Sequence, residues 1–382
     1  MTPTIYLAFV DDWELRGNGS GDPRELQFRP MRELVRIFNR HGVRGSFNAE
    51  VMQQLTFRKF QKQHAELLRL ADDWDTNVRE SYLQGHDIQL HIHPQWCEAA
   101  YEHGQWRLTA DWNILNHPPE VALEMITAGC GYLEGLLRPI DPTYHCVSFR
   151  SGAWCIAPSR HILGLLVRLG IVFDMSIVGG VRYNTKNVQL DYSDCEESFL
   201  PYYPNMEDAR KVSDKVEEII CVPTNHFSES RLHLLQKHFS KARHKVRERL
   251  RFNESGKGEG LDPENYYSEW VEIDASSRFR GILKNVIAPY LTGKHFISDI
   301  AQLDYPLMSE MLRSIRRRAR ASKLAEVPII LENHTKDIRD FTHIERFVAE
   351  VSQAPDIKCV TLSELARELK SGRFPIKTAT QK

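Results

Sequence analysis

Short apolar runs alternate with longer amphipathic segments along most of the chain. Residues 5–10 form a continuous apolar run, which predicts a strand buried on both faces. A helical pattern begins at Pro30, places apolar residues on one face and stops at Gly42. The same alternation predicts further strands at 43–47, 87–94, 147–150, 171–174, 219–223, 327–332 and 358–361. It also predicts further helices at 51–82, 121–137, 158–169 and 363–369.

Repeated strand-then-helix units imply a parallel sheet, either open or closed into a barrel. The stretch 226–320 interrupts this alternation, because it holds a basic segment between Lys237 and Arg251 and a second basic run at 316–318. We interpret it as a mostly helical insertion. The chain is therefore expected to form a single domain over 1–382 that carries this insertion.

Composition is that of a soluble globular protein, with 42% hydrophobic and 26% charged residues. The net charge of −1 provides no general attraction for nucleic acid, so we expect no nucleic-acid partner. The seven cysteines include no CxxC pair, and the N-terminus lacks a basic segment followed by a long apolar one. No run approaches the roughly 20 apolar residues of a membrane span. These features predict a cytoplasmic protein.

Polar residues of the kinds used in catalysis follow several predicted strands. In parallel α/β folds the carboxyl ends of the strands meet at one edge of the sheet, where sites collect. The residues concerned are Asp11, Asp12, His91, His93, Arg150, Asp174 and His334. Their order along the chain predicts one site built from several strands.

The pair Asp11 and Asp12 directly follows the first apolar run. Two adjacent carboxylates repel each other unless a cation or a donor compensates. One of them could bind a metal while the other acts as a base. A solvated loop beginning after the strand would also explain the pair.

His91 and His93 lie two residues apart on a predicted strand. Side chains at this spacing share a face, so both imidazoles can reach one metal, and one carboxylate would complete a three-ligand site. Zinc is the usual metal for such a set, although iron, cobalt or nickel also fit. A polar strand end without a metal is the alternative.

The remaining three residues have structural alternatives. A buried arginine at Arg150 would pair with a carboxylate. Asp174 could cap a turn or helix. A single histidine at His334 after an apolar strand could be structural, and its functional interpretation depends on the other residues.

Seven short motifs in this order resemble those of the polysaccharide deacetylases, the NodB-homology or carbohydrate esterase family four group. Phe9-Val10-Asp11-Asp12 is similar to the family's Thr-Phe-Asp-Asp motif, and Leu331-Glu332-Asn333-His334 to its last, histidine-bearing motif. The other five motifs lie at 41–48, 85–91, 149–152, 174–176 and 360–365. The resemblance covers about 4–225 and 325–370, and it implies a distorted (β/α)₇ barrel with the insertion at about 226–320.

The resemblance implies a metal-dependent hydrolase of amide bonds. By its motifs, Asp12, His91 and His93 would hold a divalent metal ion, most simply Zn²⁺, with Fe²⁺, Co²⁺ or Ni²⁺ as alternatives. Asp11 would act as the general base, and Arg150 would keep it ionised and oriented.

The same resemblance implies that His334 protonates the leaving amine and that Asp174 orients His334. The substrate would be an N-acetyl or N-formyl sugar. Because sugar C–H faces pack on aromatic rings, Trp13, Trp96 and Trp154 are candidates for the substrate groove. Each of them could equally belong to the core.

The chain departs from the family pattern in three places. His91-Ile92-His93 replaces the usual His-[Ser/Thr]-x-x-His, Ser151-Gly152 follows the motif arginine where the family has proline and an aromatic residue, and the insertion has no counterpart in the small secreted members. These departures suggest a divergent branch of the kind found in lipopolysaccharide or capsule gene clusters, acting on sugars, nucleotide sugars or glycolipids. The basic segment from Lys237 to Arg251 is either a solvated helix face or a peripheral membrane contact.

Two other functions remain open on sequence grounds. Relatives of this fold hydrolyse other C–N bonds, including those of cyclic amides. A barrel that binds glycan or metal without turnover is also possible, although the candidate acid and base argue against it.

Overall fold

The computed structural model describes residues 2–185, 187–228 and 295–380. Eight strands form one sheet, in which every pairing is parallel. In chain order they are β1 (Thr4–Trp13), β2 (Ser46–Glu50), β3 (Asp87–Ile92), β4 (Ser148–Ser151), β5 (Phe173–Asp174), β6 (Ile220–Cys221), β7 (Glu326–Asn333) and β8 (Ile357–Cys359). The order across the sheet is β6-β5-β4-β3-β2-β1-β7, and β8 pairs with the first part of β1.

The sheet curls until its two edges meet. Beyond β6, Thr224 forms a parallel bridge with Ile330 of β7, and the Asn225 N–H donates to the Ile330 carbonyl at 2.9 Å. The predicted distorted (β/α)₇ barrel class is therefore confirmed. Its surrounding helices are α1 (Arg29–Arg40), α2 (Val51–Phe60), α3 (Ala65–Leu83), α4 (Pro119–Leu137), α5 (Ile162–Arg168), α6 (Tyr305–Ser322), α7 (Phe341–Ser352) and α8 (Leu362–Lys370).

Alternation along β1 separates two cores. The ring of Phe9 lies 5.5 Å from that of Phe38 on α1 and 6.1 Å from that of Phe347 on α7, so odd-numbered side chains face the helices. Ala8 and Val10 belong to the other cluster, with residues of β5, β6 and α8. Because side chains alternate along a strand, the even-numbered side chains of β1 face the barrel interior.

The first strand is longer than its apolar run predicts. It continues through both aspartates to Trp13, because these residues pair with β2 as far as Ala49. Asp11 and Asp12 are therefore strand residues on opposite faces, not the first residues of a loop. Of the two, only Asp12 is among the residues that line the cleft at this end of the barrel.

Part of the predicted insertion belongs to the barrel. His226–Ser228 and His295–Ile297 form a two-stranded ribbon, and α6 then leads into β7. The basic segment from Lys237 to Arg251 lies outside the described residues. Within the described ranges, no helix has both the length and the apolar character needed to cross a membrane.

Candidate active site

Polar side chains collect at the carboxyl ends of β1, β3, β4 and β7. They surround a cleft of about 630 Å³ whose lining includes Asp12, Glu14, His91, His93 and His334. All five are buried, with exposed fractions of 8% or less. Three imidazole side chains and two carboxylates therefore meet away from bulk water, where charge interactions are strong.

Glu14, His91 and His93 form the most compact cluster in the cleft. Glu14 Oε2 lies 3.1 Å from His91 Nε2 and also contacts His93 Nε2, and the two Nε2 atoms lie 3.0 Å apart. A carboxylate and two imidazoles are the ligand set of many open, catalytic zinc sites. Among the described residues, this group fits a divalent cation in its donor chemistry and in the convergence of its ligand atoms.

The outer nitrogens of both histidines are held by neighbouring groups. His91 Nδ1 donates to the Arg150 carbonyl oxygen at 2.8 Å, so Nε2 is the ring nitrogen that faces Glu14 and that a metal would use. The Gln95 amide lies 2.9 Å from His93 Nδ1, and Gln95 Oε1 has no hydrogen-bond partner among the described residues. Turning that amide would let Oε1 accept from Nδ1 and leave the His93 Nε2 lone pair for a metal.

Electrostatics keep the carboxylate of this cluster ionised. Burial raises the pKa of Glu14, but His93 and Lys336 outweigh burial and hold that pKa well below its usual value. The Lys336 ammonium contacts Glu14 Oε1, on the side away from the histidines. Glu14 thus presents one oxygen to the histidine pair and the other to the lysine.

Asp12, the predicted third ligand, occupies a neighbouring position in the structure. Its Oδ2 lies 3.2 Å from Arg150 Nη1, and its Oδ1 accepts from Asn48 Nδ2 at 2.8 Å. Burial raises the pKa of Asp12, but Arg150, with His91 and His334, lowers it below its usual value. The position nearest the two histidines is thus held by Glu14, two residues after Asp12. Because β1 extends to Trp13, Glu14 rather than Asp12 reaches the histidines.

Asp11, the predicted base, lies on the opposite face of β1. Its Oδ1 accepts from the side chain of Asn333, its register partner on β7, and Oδ2 has no hydrogen-bond partner among the described residues. Burial raises the pKa of Asp11 well above its usual value. Arg150 was expected to pair with Asp11, but strand alternation places the arginine in the barrel interior with Asp12 instead.

Arg150 is fully buried and joins two acidic groups. Nη1 lies 2.6 Å from Glu332 Oε1 as well as 3.2 Å from Asp12, and Nη2 donates to Thr224 Oγ1 at 2.7 Å. Glu332 also accepts from Trp154 Nε1 at 2.8 Å. Burial raises the pKa of Glu332 to about 7 although Arg150 opposes this. Glu332 was not among the predicted site residues, although the alternation Ile330, Glu332, His334 places it on the inner face.

His334 lies across the cleft and is oriented by Asp299. Its Nδ1 donates to Asp299 Oδ2 at 2.9 Å, and its Nε2 lies 3.8 Å from both Asp12 Oδ2 and Glu14 Oε1. Burial and Lys336 lower the pKa of His334, but Asp299 and Glu332 outweigh them and raise it to about 10. The histidine is therefore held as an imidazolium that points into the cleft.

Asp174 does not play the part expected of it. Its carboxylate accepts from the Ser176 N–H at 3.0 Å and from Ser176 Oγ at 2.6 Å, and Ser176 Oγ in turn accepts from the Ser151 N–H. Asp174 thus fixes the backbone after Arg150, and Asp299 orients His334. Asp299 lies within the stretch 226–320 that interrupts the strand–helix pattern, so no predicted strand end indicated it.

In the part of the chain that the structure describes, two other groups of side chains could also hold a metal, and both share His334. The first combines it with Asp12 and Glu332, and the second with Asp299 and Asp337. In the first group the Arg150 guanidinium contacts both carboxylates, Asp12 and Glu332, and would repel a cation there. In the group around Glu14, Lys336 contacts only Oε1, which leaves Oε2 and the two imidazoles to a cation. Asp337 is only half-buried. The group around Glu14 therefore remains the best cation site among the described residues.

Only one of the three predicted groove tryptophans lines the cleft. Trp154 does so, and its ring stacks on Tyr183 with 5.8 Å between centroids and 9° between planes. Trp13 is fully buried, donates to the Gln27 carbonyl and packs against Trp74, and Trp96 is buried against other aromatic rings. Trp13 and Trp96 therefore belong to the hydrophobic core, where they are fully or almost fully buried.

The Gly152 backbone approaches the histidine pair closely. A Cβ at this position would lie 2.8 Å from the Ile92 carbonyl oxygen and 3.0 Å from His93 Cγ and Nδ1. We expect Gly152→Ala to push His93 aside and weaken metal binding by about 10- to 100-fold, as perturbing a ligand's support does. The measurement is the metal dissociation constant from chelator competition.

Gly164→Ala is the matched control, because a Cβ there would meet nothing within 4 Å and the residue lies in α5. Its metal affinity should equal that of the wild type. If the Gly152→Ala protein bound metal as tightly as the wild type, the close approach of residue 152 to His93 would have no effect on the metal site.

Structural comparison finds the same fold in solved proteins of low sequence identity. A protein assigned as a polysaccharide deacetylase from Mycobacterium smegmatis is 15% identical with a TM-score of 0.50, covering 100% of this chain and 96% of that one. A 4-alpha-glucanotransferase from Thermococcus litoralis is 13% identical, also with a TM-score of 0.50, covering 100% of this chain and 43% of that one.

Neither a protein-family model nor a curated protein sequence matches the chain. The likeness to polysaccharide deacetylases is therefore established for the fold alone. Because one fold can carry different reactions, the function has to be argued from the site.

Proposed function

We propose that the protein is a metal-dependent N-deacylase of an amino sugar, removing an acetyl or formyl group from its nitrogen. The observation that carries the proposal is one cleft with three parts: the Glu14, His91 and His93 cluster, the ionised Asp12, and the imidazolium of His334. A cation site, a proton acceptor and a proton donor are the groups that amide hydrolysis needs.

The cation site provides the first requirement. A divalent cation held by Glu14, His91 and His93 would polarise the amide carbonyl and lower the pKa of a water molecule. Zn²⁺ suits this ligand set best, and Fe²⁺, Co²⁺ or Ni²⁺ are alternatives. His91 and His93 keep the roles that the sequence suggested, and Glu14 replaces Asp12 as the third ligand.

Asp12 is the proposed general base. Arg150 contacts Oδ2 and keeps the carboxylate ionised, and Asn48 fixes Oδ1. Oδ2 also faces His334 across the cleft, and there it can accept the proton of the attacking water. Arg150 is a positioning residue in this scheme, since it acts through Asp12. The family resemblance implied Asp11 as the base, held by Arg150. In this proposal Asp12 takes the role of the base, and Arg150 keeps its role.

His334 is the proposed general acid. Its Nε2 faces the same cleft, so it can protonate the nitrogen that leaves when the amide bond breaks. Asp299 fixes the ring and favours its charged form. Trp154 and Tyr183 present ring faces on which the sugar can pack.

Replacing Asp299 with asparagine should move the alkaline limb of the pH profile to lower pH. His334 must be protonated to act, so activity falls as pH rises through its pKa. Asp299 raises that pKa, and its removal lowers it. The measurement is kcat/KM against pH for both proteins.

Asp174→Asn is the control, because Asp174 contacts Ser176 instead of His334. Its alkaline limb should coincide with that of the wild type. If the limb moved in the Asp174 variant and stayed in place in the Asp299 variant, the sequence-based assignment would be restored.

The proposal is tested by offering the metal-loaded protein N-acetyl and N-formyl amino sugars beside cyclic amides, and measuring released acetate, formate or ring-opened product. Release from the N-acyl sugars is the expected result. Hydrolysis of cyclic amides alone would reassign the substrate, and no release from any compound would favour a glycan-binding barrel. By resemblance, we place the reaction in the synthesis of a surface polysaccharide or lipopolysaccharide in the cytoplasm.

A further inference from the structure

Lys336 brings an ammonium group into the cleft. It lies two residues after His334, in the short helical turn Thr335–Asp337 that follows β7, and it lines the cleft together with Glu14 and His93. Its side chain is only 16% exposed. Lysine side chains are seldom buried to this extent unless a partner compensates their charge, so this one is expected to serve the structure or the reaction.

The partner of Lys336 uses only part of its hydrogen-bonding capacity. Nζ donates to Glu14 Oε1, and among the residues that the structure describes this is the one hydrogen bond of the ammonium. An ammonium group carries three N–H donors. Two donors therefore remain for a group that enters the cleft.

The ammonium also lies next to the place where an amide would react. Glu14 Oε2 faces His91 and His93 while Oε1 faces Lys336, so a single carboxylate separates the cation site from the lysine. The same Oε1 atom lies 3.8 Å from Nε2 of His334, the proposed general acid. An amide with its nitrogen near His334 and its carbonyl oxygen at the cation site would therefore place that oxygen beside Lys336.

Amide hydrolysis creates negative charge on this carbonyl oxygen. As water attacks, the new C–O bond forms, the C=O electron pair moves onto the oxygen, and Asp12 takes the proton of the water. The oxyanion lasts until the pair returns, the C–N bond breaks and His334 protonates the leaving nitrogen. A cationic donor that is already in place stabilises such a charge without reorganisation, and most strongly in a buried site.

We propose that Lys336 is a further catalytic residue, whose Nζ donates to the substrate's carbonyl oxygen as that oxygen becomes an oxyanion. This inference rests on the proposed N-deacylase function and adds an oxyanion donor to the same site. The competing role is compensation of the Glu14 charge without any contact to substrate. An oxyanion donor acts on kcat, whereas charge compensation acts on the affinity for metal.

The test replaces Lys336 with methionine, which keeps most of the length of the side chain and removes its charge and donors. Turnover of N-acetylglucosamine is measured after metal titration has shown that each protein is fully loaded. We expect kcat to fall by about 10²- to 10³-fold, as removal of an oxyanion donor does, with little change in KM. Lys370→Met is the matched control, because Lys370 is exposed at the end of α8 and outside the lining of the cleft, and its kcat should equal that of the wild type.

Binding of a tetrahedral analogue provides a second readout, which does not depend on turnover. The analogue carries an anionic methylphosphonamidate group in place of the acetamide of N-acetylglucosamine. Its affinity, measured by calorimetry, should fall in the Lys336→Met protein by about the same factor as kcat/KM, because both report binding of the charged, tetrahedral state. Lys336→Gln is a second neutral variant and should lose affinity for the analogue in the same direction. Thermal unfolding checks the fold of each variant.

Full kcat and full analogue affinity in the Lys336→Met protein, with a change in metal affinity alone, would overturn the inference and leave the N-deacylase function standing. A fall in kcat with unchanged analogue affinity would also overturn it, because Lys336 would then not contact the charged oxygen. If the wild-type protein hydrolysed no N-acyl sugar, the proposed function would be contradicted, and the role of Lys336 would fall with it.

Discussion

Replacing Asp12 with asparagine is expected to lower kcat by about 10²- to 10⁴-fold, the range that a positioned general base contributes. Asparagine keeps the shape of the side chain but cannot accept the proton of the attacking water. The Glu14, His91 and His93 cluster is unchanged, so the variant should keep its metal. The measurement is kcat under saturating substrate, with metal content determined on the same sample.

Asp11→Asn provides a matched control one residue away. Asp11 points to the opposite face of β1 and contacts Asn333, and burial raises its pKa well above the usual value. A neutral amide therefore replaces a carboxyl group that favours its neutral form, and kcat should stay close to the wild-type value. A large loss in the Asp11 variant with an active Asp12 variant would return the base to the residue that the family motif suggested.

Replacing His334 with glutamine should lower kcat for an amide substrate by about 10²- to 10⁴-fold, because a positioned general acid contributes over the same range. The loss should shrink when the leaving group needs no protonation, as in an activated aryl ester of the same acyl group. The Asp12 variant has no base for either substrate and should lose both activities.

The comparison of amide and ester turnover separates the two roles. A His334→Gln protein that loses amide and ester hydrolysis equally would show that His334 does not act as the acid. Metal content should be the same in this variant as in the wild type, since His334 lies outside the Glu14 cluster. A loss of metal would place His334 among the ligands instead.

The parallel sheet could be predicted from the sequence, because strands buried on both faces appear as continuous apolar runs. Continuous apolar runs, each followed by a helical segment, predicted a parallel sheet, and the resemblance to the deacetylase motifs predicted the barrel class. The end of β1 was harder to predict, since two consecutive aspartates usually indicate that a strand has ended. Their pairing with β2 is a tertiary effect that no local pattern carries.

The position at which β1 ends explains most of the differences between the predicted and the observed site. With β1 ending at Trp13, the inner face continues from Val10 through Asp12 to Glu14, and the family-derived roles move accordingly. A reading of alternate positions beyond the aspartate pair would have found Glu14. The same alternation would have found Glu332 two residues before His334.

Asp299 could not be found in this way. It lies within the stretch 226–320, where the strand–helix pattern breaks, and only the fold brings it to His334. Asp174, a strand-end carboxylate, was the better candidate by position. The structure instead uses it to hold Ser176 and the backbone after Arg150.

In the proposed site Glu14, and not Asp12, completes the set of ligands with His91 and His93. The most direct measurement is the metal content per chain of the wild-type, Glu14→Gln, His91→Ala and Asp12→Asn proteins after equilibration with limiting Zn²⁺. We expect a full site in the wild-type and Asp12→Asn proteins, and loss of metal from the Glu14→Gln and His91→Ala proteins. A Glu14→Gln protein that keeps its metal while the Asp12→Asn protein loses it would show that Asp12 is the third ligand.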